Sequence, residues 1–270
     1  PLDLILLKKF PIQLREVQIH TTRKNYEYRQ EISNPVSVIP AETFEVKGFV
    51  DAADVLTADQ STIIDESFNG EKTISIRGAN EDEVLILYDG IRINNSYDNL
   101  FDLSLVDPAG LEQIDIIKGS NLAASGSQTS SAVINLVPKL QQEYLLKFYQ
   151  RFGTYNLGDW GLNLYQDVHG LFCYGSYKES ASKQQFVDLS ATGGSVNKDA
   201  TNIIVNFGYD FGQRNPTARR HVLRSYYLES QRRYFNQRDL EKLSKRQRFL
   251  TLKYTGDFEK YGKINLSLSG

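Results

Sequence analysis

Thr73–Asn94 reads TISIRGANEDEVLILYDGIRIN, and the spacing of its apolar residues changes twice along the way. Thr73–Arg77 alternates apolar and polar, as a half-buried strand does. Val84–Tyr88 is an unbroken apolar run, Ile91–Ile93 a shorter one, and Asp89-Gly90 separates them. Asp-Gly tolerates the positive φ values of a type I′ turn, so the two runs predict a tight hairpin. Outward from there, Ile114–Ile117 and Val133–Val137 predict two further buried strands with a Gly/Ser/Ala-rich connection between them. On the other side, Asp51 stands as an N-cap before a short helix over Ala52–Leu56. Residues 41–139 therefore read as a small α+β domain.

Composition narrows what surrounds it. A formal net charge of −2 over 270 residues, with 40% hydrophobic and 24% charged, fits neither a disordered chain nor a general nucleic-acid binder. No apolar stretch approaches the roughly 18 to 20 residues of a membrane-spanning helix, which excludes a helical membrane protein. Cys173 is alone, so no internal disulfide forms, and His20, His169 and His221 lack ligand spacing. Zinc binding and Cys/His catalysis are thereby disfavoured. The chain opens on Pro1 and contains no methionine, which reads as a processed chain or a fragment, silent about targeting.

Upstream, residues 1–40 carry Pro1, Pro11, Pro35 and Pro40 with one alternating stretch at Leu14–Ile19, an extended arm with a short strand. Downstream, residues 140–270 alternate at length. Tyr144, Leu146, Phe148 and Phe152 share a face against Lys147, Tyr149 and Arg151. Trp160, Leu162 and Leu164 oppose Gly161, Asn163 and Tyr165, and Ile203, Val205, Phe207, Tyr209 and Phe211 oppose Asn202, Asn206, Gly208 and Asp210. Ile264, Leu266 and Leu268 repeat the rhythm. Dyad alternation with aromatic ends fits transmembrane β-strands, and it equally fits a soluble antiparallel sandwich or barrel.

The middle region resolves the choice by likeness. Thr73–Asn94, then DLSLVDPAGLEQIDIIKGS (Asp102–Ser120), then SAVINLVPK (Ser131–Lys139) closely resemble, in order and spacing, the plug domain of TonB-dependent outer-membrane receptors. The resemblance implies an α+β plug domain followed by antiparallel transmembrane β-barrel strands, the plug threaded inside a barrel of about 22 strands. Residues 140–270 hold room for roughly seven or eight such strands, so the barrel is incomplete and the chain reads as an N-terminal fragment. Ala124-Ser125-Gly126-Ser127 and Ser130-Ser131 depart from the family's aromatic-Gly-Ser and Gly-Gly runs; small residues persist, but glycine's backbone freedom is lost at the second.

The same resemblance assigns roles. Glu16, Val17, Gln18, Ile19, His20, Thr21 and Thr22 lie where the family carries its TonB box, which pairs with a periplasmic energy-coupling protein by β-strand addition; an ordinary strand ending a preceding domain is the alternative. Phe68 and Asn69, in the loop 65–72, and Asn94, Asn95, Ser96, Tyr97, Asp98 and Asn99, in the loop 94–101, are expected to face substrate, polar edges and a stacking surface for a bulky ligand. Solvated loops are the alternative there. Arg77 and Arg92, near Glu81, Asp82 and Glu83, are expected to form plug–barrel ion pairs, against routine salt bridging in a wet lumen. No apolar pocket accompanies the carboxylates, so acid–base catalysis is not expected. Arg214–Arg248, rich in cations and tyrosines, reads as a long extracellular loop with flanking strands, open to lipopolysaccharide phosphates or an anionic substrate. The loop 179–199 lacks calcium-ligand spacing, and Cys173 reads as inert. The implied protein is a transport receptor in the bacterial outer membrane and not an enzyme, with no cofactor or resident metal. Its partners would be the TonB-type protein, outer-membrane lipid and lipopolysaccharide, and a small molecule or metal chelate such as a ferric siderophore or vitamin B12, with no nucleic acid. A non-importing surface-binding or signalling receptor and a soluble β-rich carbohydrate-binding protein are the rivals.

Overall fold

The computed structural model describes residues 36–41, 51–67, 70–118, 131–153, 157–187, 193–211, 221–258 and 262–270. The TonB-box candidates 16–22, with Phe68 and Asn69, lie outside these residues.

The first unit is a sheet built from short apolar segments. β1 (Val36–Pro40), β4 (Val84–Tyr88), β5 (Ile91–Arg92), β6 (Leu111–Lys118) and β7 (Ala132–Pro138) form it in the order β1-β6-β7-β4-β5. Asp89 and Gly90 adopt φ of 49° and 81°, so the β4–β5 connection is the type I′ hairpin that Asp-Gly favours. β7 runs parallel to β4 and antiparallel to β6. β1 completes the edge antiparallel to β6, with Ile39 opposite Ile114. This corrects the boundary at residue 40: Val36–Pro40 belongs to the sheet, because a β6 edge distant in sequence supplies hydrogen-bond partners that local spacing does not reveal.

β2 (Thr62–Glu66) and β3 (Lys72–Ile76) make a separate hairpin, and α1 (Ala52–Leu56) is capped by Asp51, whose carboxylate accepts the Asp54 N–H at 3.0 Å. Val55, Leu56, Ile74, Val84, Ile86, Ile114, Ile134 and Leu136 close into one core. All five residues of β4 are buried, as expected of a strand covered on both faces.

The second unit is an antiparallel meander of seven strands, each paired with its neighbours in sequence: β8 (Leu146–Phe152), β9 (Gly158–Val168), β10 (Leu171–Val187), β11 (Gly193–Asp210), β12 (His221–Asn236), β13 (Glu241–Phe258) and β14 (Gly262–Ser269). The face toward the first unit is polar and buried: Asp159, Asn163, Ser176, Lys178, Asn202, Asn206, Ser230 and Thr251. The opposite face exposes Phe148, Trp160, Leu164, Val205, Phe207, Leu250, Leu252, Leu266 and Leu268. Period-2 alternation puts each set on its side. No helix among the described residues is long and apolar enough to cross a membrane.

Arg214–Arg248 is not a long loop. Its described part is β12, the turn 237–240 and the start of β13. Its cations alternate between the two faces, and that alternation builds strands once a partner strand lies alongside. The segment 179–199 is likewise mostly strand, the ends of β10 and β11.

Candidate functional site

Acidic residues at turns of the first unit reach cations on the inner face of the second, at three places. At the β4–β5 turn, Asp89 Oδ2 accepts the Tyr226 hydroxyl at 2.5 Å and lies 3.1 Å from Lys253 Nζ and 3.4 Å from Arg224 Nη1. Lys253 also donates to the Asp89 carbonyl at 2.6 Å. Beside this turn, Tyr88 meets Tyr226 edge to face with centroids 5.6 Å apart, a favourable aromatic geometry. Burial, with Tyr174 and Asp89 nearby, pushes the Tyr88 hydroxyl pKa up, so it stays a neutral phenol.

The second contact is the most enclosed. Asp107 caps the 3-10 turn Pro108–Gly110, its carboxylate accepting the Ala109 N–H at 3.2 Å. The same oxygen lies 3.3 Å from Lys178 Nζ, and both side chains are 1% exposed. Lys178 is 3.7 Å from Asp159, which accepts Arg151 Nε at 2.8 Å. Tyr174 donates to the Ala109 carbonyl at 2.8 Å, and Asn206 to the Lys139 carbonyl at 2.8 Å. Gly110 lets β11 approach closely: a Cβ there would meet the tip of the Ile204 side chain, which would have to shift.

At the third, Asp102 Oδ1 accepts the Lys72 backbone N–H at 3.0 Å, and Oδ2 lies 3.6 Å from both Arg232 and Lys245. Lys245 pairs with Glu71 at 2.7 Å, Lys198 with Glu66 at 3.1 Å, and Arg232 donates to the Gly70 carbonyl. Inside the first unit, Lys72 also bridges Asp51 and Asp54, at 2.9 and 2.6 Å. Lys118 clasps both Asp59 oxygens at 2.8 and 2.7 Å. Burial alone would raise the Asp59 carboxyl pKa, but Lys118 and the Ser61 N–H and hydroxyl outweigh it and hold it well below the usual carboxylate range.

The cross-contacts expected of Arg77 and Arg92 are therefore made by other residues. Arg77 is exposed at φ 51° and pairs with no acid among the described residues. Arg92 points outward from β5 and donates to Asn99 Oδ1 at 2.7 Å. Inward-facing Ile91 takes the buried side of that short strand, which turns Arg92 away from the wall. Three of the acids that reach the wall carry a local signal, a turn or cap position: Asp89-Gly90, Asp102 before Leu103–Leu105, and Asp107-Pro108.

The loop 94–101 divides in two. Asn94 is buried, accepts the Ile86 N–H at 2.7 Å and donates to the Val84 and Asn99 carbonyls at 3.0 and 2.7 Å. Its amide is consumed by the fold, which removes it from the substrate-facing set. Asn95 and Asp98 accept the backbone N–H groups of Tyr97 and Leu100, and Asn99 donates to the Asp82 carbonyl. Ser96 is exposed and Tyr97 is 96% exposed, projecting from this braced loop. No cluster of three or more metal-ligating side chains occurs among the described residues.

A plug-like sheet joined by turn carboxylates to the polar face of an antiparallel wall defines a plugged-barrel architecture. Residues 29–133 match the family model described as "TonB-dependent Receptor Plug Domain". The vitamin B12 transporter BtuB of Photobacterium profundum is 27% identical over 118 residues, 42% of this chain and 20% of that protein. The BtuB of Vibrio vulnificus is 24% identical over 127 residues, 46% and 21% of the two chains. Among solved structures, the copper transporter OprC superposes with TM-score 0.67 at 13% identity, covering 87% of this chain and 36% of that one. The ferric enterobactin receptor PfeA of Pseudomonas aeruginosa gives 0.66 at 15%, covering 88% and 40%. The chain thus spans about a fifth of the length of these curated relatives and well under half of these structures. Residues 29–133 thus match the plug domain of TonB-dependent receptors, and the fold of the chain is that of part of a plugged β-barrel.

Proposed function

We propose that the protein is an outer-membrane receptor importing a scarce, bulky nutrient, a ferric siderophore or a vitamin B12-like cobalt chelate, with energy delivered by a TonB-type periplasmic protein. The observation that carries this reading is the inversion of the seven-stranded wall. It turns Asn, Ser, Lys and Tyr toward the plug and Phe, Leu, Val and Trp outward, as a barrel wall does when lipid lies outside and a wet, plugged lumen inside. Likeness to BtuB over 118 residues supports a cobalamin-like cargo, and fold likeness to a ferric enterobactin receptor supports a siderophore.

In this mechanism the substrate rests on the braced loop carrying Ser96 and Tyr97, and Phe68 and Asn69 remain assigned to the same substrate-facing set. Force on the arm, through a strand pairing at Glu16–Thr22, then draws on the plug. The three acidic turns resist that force. They are held by ion pairs whose rupture inside a low-dielectric wall is costly, which keeps the lumen closed at rest.

The test is uptake by the organism that encodes the receptor. Deleting the gene should abolish import of radiolabelled ferric siderophore or cobalamin, and Ile19→Pro, which removes a strand N–H, should abolish import while leaving cell-surface binding intact. Unchanged import of both compounds after deletion overturns the reading; binding with no import in the parent strain marks a non-importing receptor instead.

A further inference from the structure

We infer that the inner face of the wall, behind the plug, is a transit site for an anionic cargo, and that the plug's acidic side chains occupy it as stand-in counter-ions until the cargo arrives. The inference rests on the import reading above and deepens it: of the two cargo classes, it selects a metal chelate with net negative charge over a net-neutral cobalt chelate. What carries it is where the counter-charges sit. At one station Arg232 of β12 stands opposite Lys245 of β13, with Lys198 of β11 alongside. Their acids are Asp102, Glu71 and Glu66, all from the plug. Eight residues along the same two strands Arg224 stands opposite Lys253, about 26 Å away at roughly 3.3 Å per residue. Both face Asp89 of the plug. Lys178 lies between the stations, level with Asn202 and Ser230, and pairs with Asp107 of the plug.

Among the described residues, the five cations at the two stations pair with no acid of the wall itself. Lys178 also meets Asp159 of β9, which Arg151 already holds. A wall neutral on its own carries acids beside its bases, as the outward face does where Glu229 lies between Arg246 and Arg248. The inner face instead borrows its acids from the plug. Withdrawal of the plug therefore leaves a file of cations on a low-dielectric wall, where unpaired charge is costly and the field draws anions. A cargo with negative charge supplies counter-ions as the plug gives them up, first at the station beside the loop 65–72 and then at Arg224 and Lys253. A neutral cargo leaves the cations bare, and the plug's carboxylates return to them. The lumen thus opens by exchange of counter-ions, which makes cargo charge a condition of transit.

The experiment is initial-rate import by cells carrying the full-length receptor, with two probes: the radiolabelled iron complex of an anionic tris-catecholate, and cyanocobalamin, which is net neutral. Rates are taken per molecule bound at the cell surface. The parent should import the anion. In the test variant the partners are exchanged across the seam, Lys198→Glu with Glu66→Lys and Lys245→Glu with Glu71→Lys, so that both ion pairs persist while the charge left on the wall reverses. Import of the anion should fall about tenfold, with no rise in vancomycin sensitivity, the sign that the plug still closes the lumen. An unchanged rate through a closed receptor overturns the inference. If the exchanged variant leaks, the set Lys198→Gln, Glu66→Gln, Lys245→Gln and Glu71→Gln replaces it; a smaller loss is expected, and no loss overturns the inference. Import of cyanocobalamin but not of the anion by the parent overturns the inference and leaves the import reading standing. Import of neither overturns the import reading itself, so the two failures are distinguishable.

Discussion

The plug sheet and the wall bury opposite chemistries. In β4 every residue of VLILY is buried, and its hydroxyl-bearing Tyr88 lies at the seam with the wall. In β9 the buried residues are Asp159, Gly161 and Asn163, while Trp160 and Leu164 face outward. The plug is a core in the ordinary sense, apolar area withdrawn from water. The wall is turned inside out, with polar side chains bonded to one another, as Ser176 to Asn163 at 2.9 Å and Ser230 to Asn202 at 2.5 Å, or to the plug, as Tyr174 to the Ala109 carbonyl at 2.8 Å. The same alternation of apolar and polar serves two solvents, and what decides which side is buried is what lies against it.

The sharpest break in this contrast is at the buried ion pair. Lys178→Met should cost about 3–5 kcal/mol, because it strands Asp107 in a site with 1% exposure. Lys178→Met with Asp107→Asn should recover most of that loss, since asparagine still caps the Pro108–Gly110 turn. Denaturant titration of the detergent-solubilised receptor and its variants measures both. A smaller effect is expected outside the wall. Phe207→Arg, opposite Cys173 and a few residues from the strand end, should cost about 2 kcal/mol in a bilayer-inserted receptor, between the values for a cation at the interface and at the midplane, and it tests the inversion directly: a wall facing water would tolerate the change with no loss in the same folding titration.

Close approach of the two regions gives a still smaller effect. Gly110→Ala should cost about 1–2 kcal/mol by driving a methyl into buried Ile204. Adding Ile204→Val removes the colliding Cδ1 and should restore the thermal midpoint. The smallest effect is a pH dependence confined to the plug. Asp59 has a folded pKa below its unfolded one, so its clasp on Lys118 adds stability that is complete above the unfolded value of about 3.9 and is lost progressively as pH falls below it. Asp59→Asn should flatten that acid limb without altering the neutral-pH slope, read as thermal midpoint against pH.

Much of the plug was legible locally. Asp89-Gly90 between two apolar runs specifies a hairpin by backbone sterics alone, and Asp51 before Ala52–Leu56 specifies a cap. The wall strands were legible as alternation. The pairings between regions were not: Asp107 meets Lys178, and Asp102 meets Arg232 and Lys245, only after the strands are laid side by side. Charge proximity in the chain pointed instead to Arg77 and Arg92, which the fold turns outward. Asn94 was misread for the same reason, since a polar residue in a loop looks available until its three backbone partners are in place.

By itself, then, the sequence determined the strands, the hairpin turns and the two faces of each wall strand, because sterics and period-2 geometry act between near neighbours. Only the tertiary structure decided that β1 joins the plug edge, that the polar face of the wall is the buried one, and which acids hold the plug. Those outcomes depend on contacts between residues distant in the chain, where burial sets the worth of a charge and register alone brings its partner within reach.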